Sequence, residues 1–180
     1  MPVTLTRSIL VVIIPALVAL APWALWVTSK IEGFGDVYKT YATLINASLI
    51  GLAIIVGSVF EGALPHLEVR WDKERENEYA VKENWFSYLA KQCSAEPVGF
   101  RYLSRMVTTM YFELSMSIAA PVSLLGLAVL AYDHAPCLWA WLSVVCVMLA
   151  FAAAYFFYWQ AKCTHKVLCE TRKEINARLA

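Results

Sequence analysis

Four apolar stretches, at residues 8–27, 41–61, 107–132 and 137–159, take up about half of this 180-residue chain. A helix rises ~1.5 Å per residue and a bilayer's hydrocarbon core is ~30 Å thick, so about 20 mostly apolar residues suffice to cross it. Each stretch has that length. In such a solvent the backbone must satisfy its own hydrogen bonds, which leaves helices or closed barrels, and runs this long select helices. The sequence therefore predicts an all-α fold: an integral membrane four-helix bundle with a cytoplasmic helical extension. It divides into a first transmembrane hairpin (1–61), a cytoplasmic helical region (62–106), a second transmembrane hairpin (107–159) and a cytoplasmic C-terminal helix (160–180). Composition agrees, with 60% hydrophobic and only 16% charged residues, outside the range of ordinary soluble domains.

The net charge of +1 says little, but its distribution sets an orientation, because basic residues are retained on the cytoplasmic side. Arg7 precedes the first stretch; Arg70, Lys73, Arg75, Lys82, Lys91, Arg101 and Arg105 lie between the second and third; Lys162, Lys166, Arg172, Lys173 and Arg178 follow the fourth. Only Lys30 and Lys39 stand on the other side, a split of thirteen against two. Both termini are expected in the cytoplasm. The first stretch is too long for a cleaved leader, running on through Trp23 and Trp26, with Pro22 after the best cleavage site, so it reads as a retained anchor. Pro15 and Pro22 then kink a membrane helix rather than ending it. Tyr and Trp at the stretch ends (Trp23, Trp26, Tyr41, Tyr132, Trp139, Trp159) form the usual interfacial belt.

The external turns, around Gly33-Phe34-Gly35-Asp36 and Asp133-His134-Ala135-Pro136, are too short to form domains. The soluble material is cytoplasmic. From Leu67 to Gln92 apolar side chains recur every three or four residues, so the second span is expected to continue as a helix, kinked at Pro65 and turned back by Glu96-Pro97-Val98-Gly99. Trp71, Arg75, Trp85 and Phe86 are the candidates for docking a cytosolic partner; the alternative is a helix resting on anionic lipid headgroups. The tail is expected to be helical, with Val167, Leu168, Ile175 and Leu179 roughly on one side. Cys93, Cys163 and Cys169 are cytoplasmic in this topology, and no disulfide is expected. Cys163, His165 and Cys169 lack a second CxxC pair, so no metal or other cofactor is expected. No catalytic signature occurs, and no enzyme activity or nucleic-acid binding is expected.

Polar groups within the spans carry what functional information remains. Span two has Ala47-xxx-Gly51 and Ala53-xxx-Gly57 spacing, with Gly51, Gly57 and Ser58 as candidate oligomer contacts. Its polar residues and those of span three make these two the expected inner helices, leaving spans one and four to face lipid. Glu113 stands out, since an ionisable group inside a span costs a few kcal/mol unless paired or wetted. In one reading it bonds Arg105, Thr109 or the Asn and Ser side chains of span two and only pins the bundle. In the other, Glu113 and Glu61, with Asn46, Thr109 and Ser117, line a pore or polar cavity between subunits, as acidic rings do at cation-channel mouths.

A chain of this size needs self-assembly to enclose a pathway, so a homo-oligomer among membrane lipids is expected. With cytoplasmic termini, two short external turns and the charged helix Glu68-Val69-Arg70-Trp71-Asp72-Lys73-Glu74-Arg75 leaving span two, the layout resembles small four-span proteins of bacterial antiphage systems: the Kiwa membrane subunit and the Rex-type phage-exclusion membrane protein. The resemblance is architectural and transfers no residue roles. It implies a sensor or ion-permeability effector of antiviral defence, coupled to a cytosolic protein. The alternatives are a small ion channel or transporter unrelated to defence, and a non-conducting scaffold or immunity protein.

Overall fold

The computed structural model describes residues 9–90, 98–134 and 137–179, and among them there is no strand. Arg7, Lys91, Cys93, Glu96, Pro97, Ala135 and Pro136, used above for charge or turns, lie outside the described residues. Five helices follow in order: α1 (Ile9–Ser29), α2 (Phe34–Tyr79), α3 (Val81–Ala90), α4 (Val98–His134) and α5 (Trp139–Leu179). Four of them, all but α3, are long and apolar enough to cross a membrane.

The α1 helix opens with a π-helical turn over Ile9–Ile13, then runs α-helically with Pro15 just past that junction and Pro22 further inside. Its buried face is made of small or compact side chains, Val11, Val12, Pro15, Ala16, Ala19 and Pro22. That face packs on α4, where Gly126 lets the backbones close: a Cβ there would stand 2.8 Å from Trp23 Nε1 and 3.0 Å from Pro22 Cβ. The Trp23 indole N–H donates to the Val122 carbonyl at 3.1 Å.

This packing corrects the expected arrangement of inner and outer helices. In the apolar window of α1, 33% of residues are buried and in α4 28%, against 11% in α2 and 6% in α5. Spans one and three are thus the inner pair within the chain. The reason is geometric, since the Ala and Pro stripe of α1 permits a closer approach than the Leu, Ile and Val of α2. Two further corrections concern α2. The backbone leaves helical dihedrals at Tyr41 (φ −120°, ψ 24°), while Pro65 sits inside an uninterrupted helix. The helix then ends at Ala80, in left-handed geometry (φ 44°, ψ 55°), so the stretch expected as one helix from Leu67 to Gln92 is broken into two.

At one end of the bundle, Gly33 (φ 74°) makes the turn between α1 and α2. Lys30 pairs with Asp133 of α4 at 2.8 Å, and the Trp26 indole donates to the same carboxylate at 2.7 Å. Toward the opposite end α2, α4 and α5 converge on a core of Leu64, Trp71, Met110, Leu114 and Ala161, all fully buried. Past it, α2 and α5 continue beyond the apolar spans without a break, so the C-terminal tail is an extension of span four and not a separate helix.

Candidate functional site

The parts of α2 and α5 beyond the apolar spans form a polar seam. On α5, Tyr158, Lys162, His165, Cys169, Arg172 and Asn176 follow one another by alternating steps of four and three, the spacing that keeps one stripe facing a partner helix in a coiled coil. On α2, Leu64, Glu68, Trp71, Arg75 and Tyr79 follow by steps of four, three, four and four. The stripes meet in ascending register. The Trp71 indole donates to Tyr158 Oη at 3.2 Å, Arg75 donates to the Lys162 carbonyl at 2.8 Å, and Tyr79 Oη donates to Glu170 at 3.1 Å. The two helices therefore run parallel, and a residue of α2 meets one about 90 positions later.

Arg75, His165 and Asp72 are the centre of the seam. His165 is fully buried; Arg75 Nη1 lies against its Nδ1, and Asp72 Oδ1 is 2.9 Å from its Nε2. A guanidinium has donors only, so Nδ1 must accept, and the ring proton sits on Nε2 and is donated to Asp72. The network thus selects a neutral imidazole of one tautomer. Trp71 covers the ring at a centroid distance of 5.6 Å. Cys169 Sγ lies 3.9 and 4.0 Å from the two ring nitrogens. Burial pushes the Cys169 thiol up to about 11, which leaves it protonated and a poor nucleophile near neutral pH.

Asp72, His165 and Cys169 place three donor atoms within 4.8 Å of one another, close enough to examine as metal ligands. They do not suit one. Both ring nitrogens are committed, one to a guanidinium whose positive charge stands where a cation would need to approach.

Around this centre, Lys162 pairs with Glu74 at 3.0 Å and holds its carboxyl below the usual range. The Glu78 and Glu170 carboxylates beside Tyr79 push its phenol well above its ordinary value. Lys173 donates to the Glu78 carbonyl, and Asn176 Nδ2 donates to Asn84 O at 2.8 Å, tying α3 to α5. Arg172 stacks on Trp85 at 4.4 Å.

The intramembrane candidates do not converge. Glu113 is 4% exposed and accepts from Thr164 Oγ1 of α5 at 2.8 Å, with the Gln160 side chain also bonded to it. Those partners replace Arg105, Thr109 and span two, expected from sequence. Ser117 turns its hydroxyl back to the Leu114 carbonyl, Thr109 is exposed, Glu61 is half-buried, and Asn46 is exposed between α1 and α2. Among the proposed oligomer contacts, Gly51 has open space where a Cβ would point and Ser58 is exposed. Gly57 is a correction, being closed against Val12 of its own chain. Among the docking candidates Trp71 is likewise corrected, being fully buried, and Arg75 is held in the seam. Trp85 and Phe86 remain outward, Phe86 at 66% exposure.

Sequence reasoning missed Asp72, Tyr158 and Thr164, and set His165 aside as a weak metal ligand. The signal was the three-four spacing on both helices, hidden because the positions are polar or aromatic rather than aliphatic. No protein-family model, curated protein or solved structure matches this chain.

Proposed function

We propose that this chain is a self-assembling, multi-pass protein of the bacterial cytoplasmic membrane, with both termini inside, that senses a membrane event in antiphage defence and relays it to a cytosolic protein. One observation carries the relay reading. Helices α2 and α5, about 70 and 60 Å long at 1.5 Å per residue, each continue from an apolar span into the polar seam. A tilt or rotation of the spans within the bilayer then reaches the tip of the extension without a flexible joint to absorb it. The exposed apolar surfaces of α2 and α5 support self-assembly, and Trp85 and Phe86 on α3 offer the partner an aromatic contact. The sensor reading is preferred to a pore because Glu113 turns toward α5 of its own chain.

The test is phage plating on bacteria that express the chain with the genes flanking it. Plating should fall at least tenfold for some phage. Insertion of Gly-Gly between Glu61 and Gly62, which uncouples span two from its extension, should restore plating while the protein stays in the membrane. No protection against a broad phage panel overturns the defence assignment, and full protection by the insertion variant overturns the relay.

A further inference from the structure

The fully buried ring of His165 is held between groups of opposite charge, one on each nitrogen. From α2, Asp72 takes the Nε2 proton at 2.9 Å, while Arg75 lies against Nδ1 with one Nη and donates to the Lys162 carbonyl with the other at 2.8 Å. Trp71 covers a face of the ring. On α5, Cys169 lies beside both nitrogens, but burial raises its thiol to about 11 and so keeps it neutral; Arg172 and Arg75 are both close enough to act on it. From α4, Glu113 is bonded to Thr164 and Gln160, and Tyr111 donates to Glu68. From α3, Lys82 lines a cavity with Asp72 and Arg172. Glu74 and Glu170 of the seam are taken by Lys162 and Tyr79. Among the described residues, Asp72 is thus the one carboxylate bonded to the ring, in surroundings that also hold Arg75, Arg172 and Lys82.

We infer that this cluster is a proton-operated latch: a proton added to Nδ1 of His165 expels the Arg75 guanidinium and parts α2 from α5 between Trp71 and Tyr79. Charge alone does not decide the matter, because Asp72 and Arg75 meet opposite nitrogens and their effects on the ring oppose each other. Hydrogen bonding decides it. A guanidinium has donors only, so once Nδ1 carries a proton two donors face each other in a buried site with no acceptor between them. Asp72 gives no relief, being already engaged by Nε2. Arg75 is the group that leaves, since it is only half-buried whereas His165 is fully enclosed and tethered by Asp72. Its bond to the Lys162 carbonyl goes with it, so one proton breaks two links between the helices. The input is a fall in pH of the compartment that bathes the extension, within the range where imidazole ordinarily changes charge, about pH 5 to 8. What the opening does to a partner rests on the relay reading above; the opening itself does not.

The test therefore measures the seam and not phage protection, so a failed relay leaves its result readable. The full chain in lipid nanodiscs, with Cys93, Cys137, Cys146 and Cys163 replaced by Ser, carries spin labels at Asn77→Cys on α2 and Glu174→Cys on α5, both exposed positions. Double electron–electron resonance reads the distance between them. From about pH 8 to about pH 5, the fraction of chains at a longer separation should rise at least about tenfold. His165→Gln reproduces the neutral tautomer, with its oxygen toward Arg75 and its amide toward Asp72, and takes no proton, so it should stay closed throughout. Arg75→Gln should stay closed too, because its amide can turn from donor to acceptor when Nδ1 is protonated. If His165→Gln does not fold, Arg75→Gln is measured in its place. An unchanged separation in the parent overturns the latch. So does opening by either folded variant to the parent's extent, which would assign the titration to a carboxylate such as Asp72, Glu74 or Glu170.

Discussion

A Cβ placed on Gly57 would lie 2.2 Å from the carbonyl oxygen of Val12 and 2.6 Å from its Cγ1, so α1 and α2 meet backbone to backbone at that point. Backbone cannot yield as a flexible side chain can. Gly57→Ala should therefore lower stability by about 1–3 kcal/mol through forced separation of the helices. Gly51→Leu, into open space, should leave the monomer within about 0.5 kcal/mol. Thermal unfolding in detergent separates the two, and crosslinking reports assembly. If α2 carries the subunit contact, Gly51→Leu weakens crosslinking without changing the melting temperature.

The Arg75–His165–Asp72 network makes a sharper demand, because it specifies where a proton sits. Nitrogen NMR of the His165 ring should show the neutral form protonated at Nε2. Arg75→Ala removes the donor to Nδ1 and to the Lys162 carbonyl together, and should cost about 1–3 kcal/mol. Asp72→Asn keeps an oxygen for the Nε2 proton and should cost less. A ring protonated at Nδ1, or equal losses from the two variants, would contradict the network.

The four spans were legible because length and apolarity alone decide membrane helices. Their mutual packing was not, because hydropathy ranks Ala and Pro below Leu and Val, whereas helix packing in lipid rewards smallness. Ala16, Ala19 and Pro22 were thus overlooked as the packing face of α1, and Gly57 was assigned to a subunit contact when it closes on α1. The seam was hidden differently. Its stripe has the heptad period, but Lys162, His165, Arg172 and Asn176 are not the aliphatic residues by which that period is recognised. That Glu113 finds Thr164, 51 residues away, depends on how α4 and α5 are rotated, which no local pattern specifies.

Burial also predicts a difference between two thiols on one helix. Cys163 is exposed and Cys169 buried. A small maleimide at pH 7 should modify Cys163 and spare Cys169 until the protein is unfolded. The folded Cys169 titrates near 11 against an ordinary value of 9.0. The fold therefore favours the protonated thiol, and its contribution is complete below pH 9. As pH rises from 9 to 11 the unfolded chain ionises first, and stability should fall by an amount of order 2 kcal/mol. Cys169→Ala should flatten the profile across that window.

Ala80 ends α2 with φ +44°, a conformation that costs an L-residue about 1 kcal/mol and glycine almost nothing. Its amide still donates to the Glu76 carbonyl at 2.9 Å, so the geometry is held by the helix end it closes. Ala80→Gly should raise the melting temperature or leave it unchanged, its relief of strain opposed by a more flexible unfolded chain. Ala80→Val should lower it. The reverse order would mean that the α2–α3 junction is not left-handed.

Glu113 links α4 to α5 where span four becomes its extension, and its environment is furnished by its own chain: Thr164 donates to it at 2.8 Å and Gln160 bonds it as well. Glu113→Gln keeps an accepting oxygen of the same reach, so the fold should lose at most about 1 kcal/mol. Glu113→Ala strands the Thr164 hydroxyl and opens a cavity, and should cost about 2–4 kcal/mol. A double-mutant cycle with Thr164→Val should return a coupling of about 0.5–2 kcal/mol for Glu113→Ala and less for Glu113→Gln. These outcomes follow if Glu113 ties the bundle together. A pore-lining carboxylate behaves otherwise, since Glu113→Gln would then leave the melting temperature alone while shifting the reversal potential of bilayer currents under a salt gradient. With the Glu113 carboxylate turned toward Thr164, we expect no such shift, and phage protection by Glu113→Gln at normal expression should match the parent.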